Sequence, residues 1–486
     1  MAYRDLRQYV SALEEHGELR RVKREVDWDL EAGAIMRFVN EKSLPSPLFQ
    51  KIKGYPSQCT IFGCPMNTFG KFAIAMGLNP ETSRRELEDV YRQRISKRIE
   101  PIIVDKSKAP CKENIDVSDQ VDLFKFPAPM LHDGDGGRYL CTWHVTITRD
   151  PDTGWVNWGM YRQMIRDKNS LVGVIRPAAH IGVQFYRKYK PRKLPMPFAI
   201  AIGTEPISSF VAACKLPMNV NEADIAGALR QEPVELVKCE TADLEVPATS
   251  EIVIEGEISA TEEDWEGPFG EYTGYCTNPR DKKPVYHVKA VTYRDNPILT
   301  ASCMGTPVDE SDIVQSISRS GQILARLQED GIAVVAVNVA PECIGYLVVV
   351  SVMARVAQIP NLAHRVASCI WGSAVGGNIP YVIVVDDDVD VYNLHQVLHA
   401  VVTKCHPYRG ISRVEFATGM AFMPFLSPYE RSQRLSAKVV FDCTWPLHWD
   451  PVTDVPPRTS FDTAYPKEIR DHVLKNWERY GFDRLY

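Results

Sequence analysis

Tyr139-Leu140-Cys141-Thr142-Trp143-His144-Val145-Thr146-Ile147-Thr148-Arg149, followed by Asp150-Pro151-Asp152-Thr153-Gly154 and then Trp155-Val156-Asn157-Trp158-Gly159-Met160-Tyr161-Arg162-Gln163-Met164, decides the fold. Both flanks are rich in β-branched and aromatic residues, and the segment between them is turn chemistry, so the stretch predicts a β-hairpin. Two further strands are predicted beyond it. In Glu251–Ser259, Ile252, Ile254 and Ile258 share one face and Glu251, Glu255 and Glu257 the other. Val285–Arg294 is the second. Many strands joined by turns predict a barrel or sandwich core.

On either side the pattern changes to alternating helix and strand. Leu6, Tyr9, Val10 and Leu13 mark a helix stopped by Gly17, a strand follows at Leu19–Val22, and Leu30, Ala34, Ile35 and Phe38 form the stripe of a second helix. Strands are predicted at Pro47–Ile52 and Thr60–Gly63, and a charged helix at Thr82–Arg98. Pro110–Gly137, rich in Pro, Asp and Gly, reads as a connector. After Pro307, Ile313, Val314, Ile317, Leu324 and Leu327 mark a helix. Strands at Ile332–Val339 and Leu347–Met353, a helix at Leu362–Ser373, a strand at Tyr381–Val385 and a helix at Tyr392–Thr403 complete a second α/β unit. The predicted class is α/β (α+β), with an N-terminal α/β domain (1–110), a central β-barrel domain (111–307), a C-terminal α/β domain (308–450) and a tail (451–486) holding a short amphipathic helix at Lys467–Tyr480.

The chain has 486 residues, enough for about three domains. Lys and Arg total 56 against 62 Asp and Glu, a net charge of −6 that lacks the basic footprint of a nucleic-acid binder. No apolar run approaches a membrane span, and the first residues are charged with no apolar signal core. The 12 cysteines form no Cys-x-x-Cys pair and read as reduced thiols, which places the chain in the cytoplasm. Gly-x-Gly-x-x-Gly, Walker, His-Glu-x-x-His and Gly-x-Ser-x-Gly motifs are absent, so nothing favours a conventional dinucleotide enzyme, phosphate-loop ATPase or serine hydrolase.

Trp265-Glu266-Gly267-Pro268-Phe269-Gly270-Glu271-Tyr272-Thr273-Gly274-Tyr275 is the densest candidate for chemistry. Two acids five apart on a regular strand point to opposite faces, but Gly-Pro-Phe-Gly is not a regular strand. A turn there brings both carboxylates to one side and makes a proton donor available. The simpler reading of the stretch alone is an exposed acidic turn. Asn157 and Arg162 are also five apart, with Gly159 as the place for an irregularity, and a surface arginine is the plain alternative. His180 and Glu222, with Asn157, offer hard ligands suited to manganese or magnesium, while singly they read as a structural histidine and a helix-capping acid. Asp386-Asp387-Asp388 reads as a solvated strand end.

Together these segments resemble the UbiD-type decarboxylases, which use prenylated FMN. The resemblance runs from Asp5-Leu6-Arg7, Gly17-Glu18-Leu19 and Glu25-Val26-Asp27 through Asn157–Arg162, Glu240, Val246-Pro247-Ala248-Thr249-Ser250-Glu251 and Glu266–Tyr275. It ends with Asp386–Asp388, Tyr465-Pro466-Lys467 and Asn476-Trp477. It implies a catalytic trio of Arg162, Glu266 and Glu271, metal ligands Asn157, His180 and Glu222, and cofactor contacts from Asn157, Trp158, Gly159, Met160, Tyr161, Arg162, Ala179, His180 and Glu222. It also implies Mn²⁺ (or Mg²⁺) and K⁺ at the cofactor phosphate, a central split barrel for the flavin, and a C-terminal domain that builds a homodimer or larger assembly. One departure stands out. Many relatives place a phosphate-binding Lys where this chain has Pro380, which supplies no charge.

The function so implied is a reversible non-oxidative decarboxylase of an aromatic or α,β-unsaturated carboxylic acid, supplied with its cofactor by a flavin prenyltransferase. Glu271 is expected to donate the proton, buried without a direct partner, while Glu266 stays ionised beside Arg162. Tyr272 is expected either to favour a polar ring or to pack beside the turn. The competing readings are a flavin-binding oxidoreductase and a non-catalytic assembly protein.

Overall fold

In a computed structural model that describes residues 3–482, the hairpin forms but neither flank is one strand. His144–Arg149 pairs with Val156–Gly159 around the predicted turn, and Tyr139–Cys141 pairs with Gln163–Asp167 farther down. The breaks fall at Thr142–Trp143 and at Met160–Arg162. The halves serve different cores: Trp143, Val145 and Ile147 pack into one apolar cluster, Tyr139, Leu140 and Cys141 into another. The second break depends on Gly159, as expected. A Cβ there would lie 2.3 Å from the Tyr161 hydroxyl, so only glycine lets that phenol fold back over the strand end.

The base of the hairpin lies at one end of the sheet order and its tip at the other. Between them run Ser170–Gly173, Asp281–Tyr293, Ile252–Glu266 and Met196–Ile202. One hairpin thus supplies both margins of a single curved sheet, which is a split barrel. The connector is less idle than its composition implies, since Asn114–Val117 adds a strand beside Asp281–Tyr293. The glutamate face of Ile252–Glu266 is not a solvent face. Glu251 is fully buried between Arg7 and Arg294, and Glu255 is fully buried against Lys112.

Leu19–Val22, Ser46–Phe49, Thr60–Gly63 and Ile298–Ala301 form the N-terminal sheet. The last strand arrives from beyond the barrel, pairing in parallel with Thr60–Gly63, a return the local pattern did not signal. The helix Glu31–Glu41 buries Ala32, Met36, Val39 and Asn40, not the predicted stripe, and Phe38 is 57% exposed. Gly33 explains the choice: a Cβ there would lie 2.1 Å from the Leu131 carbonyl oxygen, so this face packs backbone against backbone.

The C-terminal sheet runs Val334–Val339, Leu347–Val352, Tyr381–Asp386, Leu435–Cys443, Ile411–Thr418. Glu310–Glu329 and Leu362–Gly372 cover one face, Leu394–Thr403 the other. The tail helix spans Lys467–Lys475 and is followed by a turn of 3₁₀-helix at Trp477–Tyr480. Among the described residues no helix is long and apolar enough to cross a membrane, and all twelve cysteines are free thiols.

Candidate active site

The strand Ile252–Glu266 ends at Glu266, and Gly267, at φ +80°, turns the chain. The turn is clasped from outside: Gly136 donates its N–H to the Pro268 carbonyl at 2.7 Å, and a Cβ at Gly136 would lie 2.0 Å from Gly267 O. Phe269 is buried against the Tyr139 ring, centroids 4.4 Å apart. The chain therefore delivers Glu271 to the side on which Glu266 sits. Arg162, in the break between strands, donates Nε–H and Nη2–H to the two oxygens of Glu266 at 2.8 and 3.1 Å and Nη1–H to Glu271. The three sequence-predicted residues meet, and both carboxylates are buried.

One expectation is corrected here. Glu271 does have a direct partner, because the edge of the guanidinium that engages Glu266 leaves Nη1 pointing at Glu271. The two acids still differ. Glu266 accepts a third bond from the Tyr139 hydroxyl at 2.7 Å, whereas a single side-chain bond reaches Glu271. Burial works against the charge of Arg162, but Glu271 and Glu266 more than offset it and hold the guanidinium above its ordinary range. Burial and the Glu266 charge push the Tyr139 phenol up, so it stays a donor.

Tyr139, His132 and Asp135 are site residues the sequence reading missed. Asp135 accepts from Gly270 N–H at 2.9 Å and from the His132 ring at 3.1 Å, and the other ring nitrogen of His132 lies 2.8 Å from the Met304 carbonyl. A ring facing two acceptors donates from both nitrogens and is an imidazolium. Burial opposes that charge, but Asp135 and Cys303 lift His132 to about 10. The available signal was a His three residues before an Asp among glycines, inside a segment read as connector. Tyr139 gave none.

The second constellation lies at the other side of the break. Asn157 and Trp158 end the strand that Gly159 closes, Met160 and Tyr161 follow, Ala179 and His180 begin the short helix His180–Gln184, and Glu222 begins Glu222–Arg230. Glu222 accepts the Trp158 backbone N–H at 3.0 Å and stands 3.6 Å from His180 Nδ1, whose ring packs on Trp155 at 5.1 Å. Burial pushes the Tyr161 phenol up to about 12 against the pull of Asn157 and the Ile181 backbone. Asn157 is fully buried, and its Oδ1 has no hydrogen-bond partner. An orphaned amide oxygen beside a carboxylate and an imidazole is a donor set that fits a hard divalent cation. No cluster of three His, Cys, Asp or Glu occurs among the described residues, so the amide is needed to complete it. His144, Gln163 and Gln184 also carry buried polar atoms without partners.

Of the remaining candidates, Tyr272 shares a 2.8 Å hydrogen bond with Tyr346. Asp386 is not solvated but buried, held by Lys404 at 3.3 Å and by the Trp445 N–H. Pro380 accepts the Val439 N–H at 2.8 Å, an ordinary sheet contact.

Comparison with known proteins completes the identification. Residues 10–91, 102–307 and 312–443 match the N-terminal, Rift-related and C-terminal domains of 3-octaprenyl-4-hydroxybenzoate carboxy-lyase. The chain is 34% identical to the pyrrole-2-carboxylic acid decarboxylase of Pseudomonas aeruginosa and 32% identical to ferulic acid decarboxylase 1 of Saccharomyces cerevisiae, covering 98% of both chains in each case. Among solved structures, the closed form of Sedimentibacter hydroxybenzoicus vanillic acid decarboxylase superposes with a TM-score of 0.87 at 30% identity, over 98% of this chain and 99% of that one. The UbiD-class enzyme HmfF from Pelotomaculum thermopropionicum, in complex with FMN, gives 0.82 at 29% identity, over 94% and 98%. A split barrel with this kinship is a carboxy-lyase. The chain belongs to the UbiD family.

Proposed function

We propose that the protein is a reversible, non-oxidative decarboxylase of an aromatic or α,β-unsaturated carboxylic acid, dependent on prenylated FMN. The observation that carries the reading is the arginine clamped between two buried carboxylates at the rim of the split barrel. The names of the relatives, which act on pyrrole-2-carboxylic, ferulic and vanillic acids, support the substrate class. A solved relative with prenylated FMN supports the cofactor.

Bound prenylated FMN supplies an electrophilic centre that accepts the electron pair left when CO₂ departs an sp² carbon. Arg162 fixes the two acids and orients the substrate end of the site. Glu266, with three donors on it, remains the anion that balances the guanidinium. Each oxygen of Glu266 already accepts a hydrogen bond, whereas Arg162 occupies only Oε1 of Glu271, so a proton on the other oxygen of Glu271 displaces no donor and Glu271 carries the proton to the carbon that lost CO₂. Asn157 Oδ1, His180 and Glu222 would hold Mn²⁺ (or Mg²⁺), which with K⁺ would neutralise the cofactor phosphate, and the 157–162 segment with Ala179 would line the cofactor. Excluding water from the acids keeps the proton from being lost before transfer.

The test is coexpression with and without a flavin prenyltransferase, followed by absorption spectra and product masses from a panel containing pyrrole-2-carboxylate, ferulate and vanillate. CO₂ release from at least one acid, only in the coexpressed protein, is expected. NAD(P)H consumption without CO₂ would replace this reading by an oxidoreductase.

A further inference from the structure

Pro380 supplies no charge where the resemblance implies a lysine, and a buried cation beside its loop has no acid to meet it. Arg319, on the helix Glu310–Glu329, is 4% exposed. Its donors go to Gln315 Oε1 at 3.1 Å, the Gly345 carbonyl at 2.9 Å and Asn378 Oδ1 at 2.9 Å, all neutral. No carboxylate among the described residues lies within ion-pair distance. Asn378 is two residues before Pro380, so a guanidinium from another element already stands at the loop where relatives carry the lysine. A buried cation with only neutral partners is costly unless an anion completes it. One Nη2 hydrogen and the Nε–H remain to receive that anion.

Lys215 lies in the loop between Pro206–Ala213 and Glu222–Arg230, tied to the helix that carries Arg319 by Gln322 Nε2 donating to its carbonyl at 3.1 Å. Its ammonium has no hydrogen-bond or ion-pair partner among the described residues. The charged groups that face it are Arg319 and Arg434, both repulsive, and burial together with these two brings it down to about 8. The cluster also has a defined position. The neighbouring Cys214 thiol feels Glu222, and Tyr346, over which Arg319 lies at 5.6 Å, feels Glu271. Groups beside both cations therefore lie within electrostatic reach of Glu222 and Glu271.

We propose that Lys215 and Arg319 bind the terminal phosphate of the flavin and together replace the lysine missing at Pro380. Lys215 supplies the mobile point charge and Arg319 the fixed donors, and the dianion relieves the repulsion between them. The inference rests on the flavin reading above and deepens it.

Purified apoprotein is titrated with FMN and with riboflavin, which lacks the phosphate, following quenching of flavin fluorescence. Wild type is expected to bind FMN more tightly than riboflavin, and more weakly as salt rises. Lys215→Met should lose roughly 10- to 100-fold in FMN affinity and leave riboflavin affinity unchanged, a result that also shows the variant is folded. Lys215→Arg should restore most of the FMN preference. An unchanged FMN-to-riboflavin ratio in Lys215→Met overturns the inference, including the case where only the KM for the acid substrate rises and the cluster serves a carboxylate. If wild type binds neither flavin, the flavin reading falls first and this inference with it.

Discussion

Replacing Tyr139 with phenylalanine removes one hydroxyl and leaves the ring that packs on Phe269 at 4.4 Å. That hydroxyl donates at 2.7 Å to Glu266, which is 2% exposed, so no water takes its place. A hydrogen bond to an ionised group contributes about 1.5–3 kcal/mol, more than a neutral pair, and the loss is felt in full when the acceptor stays buried. Glu266 then competes for the proton that Glu271 must deliver. The expected fall in kcat is about 10- to 150-fold, since about 1.4 kcal/mol is tenfold. Turnover is measured on protein loaded to the wild-type flavin absorbance, with metal content matched. Flavin loading should be unchanged, because Tyr139 touches Glu266 and not the Asn157–His180–Glu222 set. Wild-type kcat in the fully loaded variant would refute the claim that the three donors on Glu266 keep it anionic.

The His132 imidazolium should titrate near 10 by NMR. Because that value lies above the unfolded one of about 6.5, the stability it gives the Gly267–Glu271 turn is complete below about pH 6.5 and is lost as pH rises through 10. A midpoint near 6.5 would contradict this. His180→Ala should lower bound metal and flavin together, by metal analysis and absorbance, more than it lowers turnover per bound flavin. Full metal and flavin in that variant would remove His180 from the ligand set. Light scattering should give a homodimer or larger assembly, since Leu398, Val402, Tyr408, Val414 and Phe416 leave apolar surface exposed on the C-terminal unit. A monomer at working concentration would contradict it.

The sequence made the elements with clear periodicity legible. The long helix after Pro307, the strands at Thr60–Gly63 and Leu347–Val352 and the helix at Leu362–Gly372 fall where the pattern puts them. Met196–Ile202 and Leu435–Cys443 were not anticipated, and neither was the return of Ile298–Ala301 to the first sheet, a choice of partner that no local pattern encodes. The stripe on Glu31–Glu41 was misjudged because glycine packing, which hydrophobicity does not record, set its buried face. The two acids were legible because Gly-Pro-Phe-Gly between them forbids a strand. Their contact with Arg162 was implied by resemblance, and the added shell of Tyr139, His132 and Asp135 needed the folded chain. A tyrosine in a strand and a histidine in a glycine-rich connector look the same in sequence whether or not they face an active site.

Glu271→Gln tests the central claim most directly. The substitution removes the titratable proton and keeps the shape, and the amide oxygen still accepts from Arg162. Protein loaded with cofactor to the wild-type level is assayed for CO₂ release and, in D₂O, for exchange of the product's vinylic or ring hydrogen. Turnover should fall by about 10²-fold or more and exchange should stop, with flavin loading intact. Wild-type turnover and exchange at full loading would show that another group carries the proton.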